Sequence, residues 1–132
     1  MPPVCGIMAV VARTRSLAAA AVVLVTAGLA ACAPGHAAAQ DACQAYANTN
    51  RRSVAKTFAE TEAVRARAQS EAAQAASADA RWQALQNDIR DAYSHLNKMA
   101  LNNGEADAYF TADRRVQADC TAAGADIGDL GH

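Results

Sequence analysis

A chain of 132 residues leaves room for one domain at most. Ala fills about a quarter of it, well above ordinary usage. The hydrophobic share of 52% therefore overstates what can be buried: one Trp, two Phe and three Tyr stand beside few Leu, Ile and Val, a marginal core for the size. The formal net charge of −1 offers no footing for nucleic acid. With Arg preferred to Lys, the Ala excess suggests a high-GC bacterial genome.

Residues 1–12, "MPPVCGIMAVVA", are apolar and uncharged where an export signal should start polar. Met8 is the more natural start, and Cys5 is lost with the signal either way. Arg13 and Arg15 then precede the uncharged run Ser16 to Ala31. A positive n-region, an apolar h-region and small residues at the end describe a secretory signal over residues 1–31. The run is short for a membrane span, which needs about 20 apolar residues. Gly28 weakens the signal helix where a peptidase needs extended chain. Thr14 separates the arginines, so the signal is not of the twin-arginine type.

The run closes on Leu29-Ala30-Ala31-Cys32: a large aliphatic residue, two small ones, then Cys. This resembles the lipobox of bacterial lipoproteins at every position. The resemblance implies signal peptidase II cleavage between Ala31 and Cys32, with a diacylglyceryl thioether on Cys32, now the first residue. Only a thiolate is nucleophilic enough for that lipid transfer. The alternative is an ordinary cut near Ala37-Ala38-Ala39, giving a secreted protein. Residue 33 is Ala, not the Asp that retains lipoproteins in many Gram-negative inner membranes. The expected location is the outer membrane of a Gram-negative host, or the outer leaflet of a Gram-positive plasma membrane.

Residues 32–40 read as a lipidated tether. Pro34 and Gly35 discourage a helix, and no large apolar residue is there to pack. His36 has no partner at ligand spacing and reads as exposed filler.

The domain is expected over residues 41–124, with a flexible tail at 125–132. Cys43 and Cys120 are the pair left once Cys32 carries lipid, and in an oxidising compartment they read as one disulfide. Good helix formers fill the interval, with no Gly between Gly35 and Gly104. Cys43 and Tyr46 fall in a short turn, and Asn48-Thr49-Asn50 is a candidate cap. A weak stripe follows: Val54, Phe58, Thr61, Val64, Ala68, Ala72 and Ala75. Ser77-Ala78-Asp79 interrupts it. The clearest stripe is Trp82, Leu85, Ile89, Ala92/Tyr93, Leu96 and Met99/Ala100, one face of an amphipathic helix. Asn102-Asn103-Gly104 ends it, with Asn or Gly able to take the left-handed cap. The last stripe is Ala106, Tyr109, Ala112, Val116, Cys120 and Ala123, closing at Gly124.

As one rod, residues 41–102 would measure about 90 Å, and Cys120 could never return to Cys43. The chain must therefore reverse near Ser77 to Asp79. Two all-α arrangements remain, each closed by the disulfide. The favoured one is a small bundle of three helices, with Asn103-Gly104 a second reversal. In the other, Asn103-Gly104 is a kink in a long two-helix hairpin.

Catalytic chemistry is not legible. His95 has Asp91 four residues before it and nothing else beside it. Ala92 stands where a Glu-x-x-His di-iron ligand would be. No Ser-Cys-His set, phosphate loop or zinc spacing appears. Arg51-Arg52, Arg65, Arg67 and Arg114-Arg115 are balanced by Glu60, Glu62, Asp107, Asp113 and Asp119. From Cys32 onward, ten basic residues face thirteen acidic ones, a net charge of −3, so these read as solvated helix faces. Phe110 cannot share the core-facing stripe of Tyr109; it either fills a groove or forms an exposed contact patch.

The domain resembles the small Ala-rich, two-cysteine helical lipoproteins of high-GC bacteria. That likeness is of pattern, without a diagnostic motif, and implies no activity. The expected function is a non-enzymatic, lipid-anchored envelope module, structural or binding a protein partner, with no cofactor, metal or nucleic acid. The alternative is a carrier of a small lipid or metal.

Overall fold

The computed structural model describes residues 33–50, 57–101 and 103–128. Helices α1 (His36–Asn50), α2 (Phe58–Ala78), α3 (Gln83–Leu101) and α4 (Ala106–Ala122) follow one another, with no strand among the described residues. Single 3-10 turns at Ala80–Trp82 and Asn103–Glu105 precede α3 and α4. Each helix runs antiparallel to its predecessor and packs on it, and α1 meets α4 at the disulfide. The result is a small all-α bundle.

The described residues form four helices rather than three, because α1 is complete where a tether and a short turn were expected. Pro34 and Gly35 precede this helix instead of preventing it, and the Gly35 carbonyl accepts the first helical bond, from Ala39. Packing explains the difference. Ala39, Ala42, Cys43, Ala45, Tyr46 and Ala47 are buried on α1, and Ala68, Ala72 and Ala75 on the helix it packs against. Two Ala faces let the backbones approach closely, so many small contacts replace a few large ones. The expected domain start at residue 41 therefore moves back to Pro34. Asn48 to Asn50 end α1 rather than opening the next helix.

The cap of α2 is Thr57. Its hydroxyl accepts from the Glu60 amide at 3.2 Å, and the Glu60 carboxylate accepts from the Thr57 amide at 2.7 Å. These two bonds make a capping box, satisfying two donors the helix would otherwise leave open. Phe58, expected on the buried stripe, is 82% exposed; burial on α2 begins in earnest at Ala68. Val54 lies outside the described residues.

The expected break at Ser77-Ala78-Asp79 is present. Asp79 takes an extended conformation, and its carboxylate accepts from the amide and guanidinium of Arg81. The stripe Trp82, Leu85, Ile89, Ala92 and Tyr93 is buried as the periodicity requires, then fades through half-buried Leu96 and Met99. At Asn103-Gly104 the chain reverses rather than kinks, since α4 packs back along α3. Gly104 lies in the 3-10 turn and is not among the left-handed glycines.

Helix α4 ends at Gly124, as expected. Gly124 is left-handed, its amide reaches the Thr121 carbonyl, and the Ala125 amide reaches Cys120. That pair of bonds is the Schellman closure. Ala125 and Ile127 are buried, so the chain packs at least to Ile127 and the expected tail from 125 is too long. The small apolar side chains of that segment close the core beside Cys120 and Ala123.

Candidate functional site

Cys43 on α1 and Cys120 on α4 form the expected disulfide, with Cα atoms 5.7 Å apart at a sequence separation of 77. One turn further along α1, the Tyr46 hydroxyl donates to the Asp113 carboxylate at 2.6 Å. Gln117, a turn later on α4, donates to the other Asp113 oxygen at 2.7 Å. Asp113 is fully buried, which corrects its reading as a solvated charge. It stands three residues before Val116 and seven before Cys120, a spacing that places it on the buried stripe. Burial, then the neighbouring carboxylate, pushes the Tyr46 hydroxyl far up.

Around this pair lie the chain's other two tyrosines. The Tyr93 ring sits 5.5 Å from Tyr46, and its hydroxyl shares a bond with Thr49 at 3.1 Å. Burial pushes Tyr93 up to about 12, although the Thr49 bond and the nearby Arg65 charge oppose it. The Arg65 guanidinium lies 5.6 Å from the centre of that ring and also bonds Glu62 and Asn97. Burial likewise pushes the Tyr109 hydroxyl up, and the hydroxyls of Tyr46 and Tyr93 serve as hydrogen-bonding struts.

A second polar seam runs between α3 and α4. Arg115 bridges Asp88, at 3.0 Å, and Asp91. Asp91 in turn faces His95 at 3.3 Å, and the other ring nitrogen of His95 meets Glu105 at 2.7 Å. His95 thus has a second acidic partner, from the 3-10 turn, where the sequence reading saw only Asp91. Glu105 was not legible because only the reversal at Gly104 brings it there. At the far end of the seam Asp119 has one oxygen buried without a hydrogen bond. Burial raises its carboxyl to about 6, helped by the Asp88 carboxylate beside it and opposed by Arg115. Asn87, Asp88, Arg90, Asp91 and Ser94 line an open groove along α3.

A third feature sits where α2 begins and α3 ends. Phe58, Leu96 and Met99, with Glu62, Arg65 and Asn97, border an open groove of about 500 Å³. Leu101, 90% exposed, lies at the same end. Phe110, on α4, is 37% exposed and lies tilted against Tyr109 with ring centres 5.4 Å apart.

Ala31, Cys32 and the paired arginines 51 and 52 lie outside the described residues. His36, read as exposed filler, is half-buried against Trp82, with ring centres 5.8 Å apart. Among the described residues no group of three or more His, Cys, Asp or Glu side chains is placed to hold a metal ion. Nor is any described helix long and apolar enough to cross a membrane. Comparisons with protein-family models, with curated proteins and with solved structures find no match to this chain.

Proposed function

We propose that this chain is a lipid-anchored lipoprotein of the cell envelope, whose helical bundle serves as a non-enzymatic structural or protein-interaction module. The observation that carries the reading is the Cys43–Cys120 disulfide in the domain that follows the lipobox Leu29-Ala30-Ala31-Cys32. Disulfides persist in exported compartments, which is where a lipobox sends a protein. The polar groups that the bundle gathers are engaged in holding helices together: Tyr46 with Asp113, Arg115 with Asp88 and Asp91, His95 with Asp91 and Glu105. No nucleophile stands beside a base in these contacts. The apolar groove at Phe58 and Leu96 is open at the surface, a shape that suits a protein contact better than an enclosed small ligand.

The test is the intact mass of the protein extracted from membranes, measured with and without reduction and alkylation. The expected species is residues 32–132 plus a diacylglyceryl group, with two thiols that appear only after reduction. A soluble, unlipidated species cut beyond Cys32 would overturn the anchor. A stoichiometric lipid or metal retained in addition to the anchor would replace the module with a carrier.

A further inference from the structure

The packed domain starts almost at the lipidation site. Gly35 is three residues beyond Cys32, and three residues of fully extended chain span about 11 Å, the diameter of a single helix. Nothing further can be paid out from the domain without breaking packing. The Trp82 indole donates to the Pro34 carbonyl at 3.2 Å. Gly35 takes φ of 75° and lies so close to α2 that a Cβ there would stand 2.6 Å from the Ala75 carbonyl oxygen. His36 leans on the Trp82 ring and Ala39 is fully buried.

Resting on the lipid-anchored reading, we infer that the end of the bundle formed by Pro34, Gly35, Asp79 and Trp82 is its membrane face, held against the lipid headgroups by the shortness of the link to Cys32. The bundle then stands on the bilayer. Its α3–α4 flank carries Asp88, Asp91, Glu105 and Asp119 against Arg90, Arg115 and His95, an acidic excess that an anionic headgroup layer does not attract. Helix α2 has 21 residues, so it carries Phe58 about 30 Å from the anchored end. Exposed Phe58 and Leu101 therefore face away from the membrane.

Trp82, the chain's single Trp, sits at the proposed membrane face and reports on it. The lipidated protein is reconstituted into vesicles of phosphatidylethanolamine and phosphatidylglycerol carrying dansyl headgroups, and energy transfer from the indole is read. We expect strong transfer from Trp82, and transfer severalfold weaker when the only indole is moved to the other end by Trp82→Phe with Phe58→Trp. A flexible Gly-Ser insert of about ten residues between Ala33 and Pro34 leaves every packed residue unchanged. It should lower transfer from Trp82 severalfold while the protein still floats with the vesicles. Flotation with equal transfer from both ends, or with no effect of the insert, overturns the orientation and leaves the anchor intact. Failure to float at all overturns the anchored reading itself, and the orientation with it.

Discussion

Asp113 is a carboxyl group with no access to water, and such a group costs free energy unless it is hydrogen-bonded. Tyr46 and Gln117 meet that need from two helices. Tyr46→Phe keeps the ring contacts but removes one donor, and should cost about 1–3 kcal/mol. Thermal unfolding should register this as a fall in Tm of about 4–8 °C per kcal/mol. Asp119 acts in the opposite sense. Its folded carboxyl titrates near 6, above its ordinary value of 3.8, so the native state binds the proton more tightly than the unfolded chain does. The stability this contributes is present below about 4 and lost as pH rises through 6. Acidification from pH 7 to 5 should therefore stabilise the protein through this group. Because Asp119 is only partly buried and solvent screens it, the effect is about 1 kcal/mol or less. Asp119→Asn should flatten the difference between denaturant midpoints at pH 5 and pH 7; an unchanged difference would assign it to another group.

At the scale of elements, what could be read depended on side-chain size. The stripe from Trp82 to Tyr93 was legible because large apolar residues at steps of three and four have one physical explanation. An Ala stripe looks the same whether it faces water or another Ala stripe, so α1 was not legible without α2. The Thr57-x-x-Glu60 signature marks the start of α2 more specifically than Asn48-Thr49-Asn50, because its two side chains cap each other's backbone amides. Asp113 stands on the buried stripe by spacing, but a carboxyl is almost never fully buried unless it is paired, so its type points to the solvent. The close approach of α1 to the end of α2 has a direct test. Gly35→Ala must hold an L side chain at a left-handed φ and drive its Cβ into the Ala75 carbonyl. The backbone conformation alone costs about 1–2 kcal/mol. Circular dichroism should show lower Tm with helix content nearly unchanged, and hydrogen exchange should quicken in the first turn of α1.

For the molecule as a whole, the disulfide joins the first helix to the last. In the chain-entropy model a closed loop of this length contributes about 4–5 kcal/mol, a large share of the stability of a domain so poor in large apolar residues. It also sets the path that force takes. Tension applied between the two chain termini enters at Cys43, crosses the sulfur bridge and leaves at Cys120, so α2, α3 and their connections carry none of it. The chain between the cysteines, a sequence separation of 77, forms a loop hanging off a short covalent line. Pulled by its ends in a single-molecule trap, the oxidised protein should withhold about 260 Å of extended chain, and release it only after reduction. Load applied between the two termini can thus come and go while α2 and α3, inside the loop, stay out of its path.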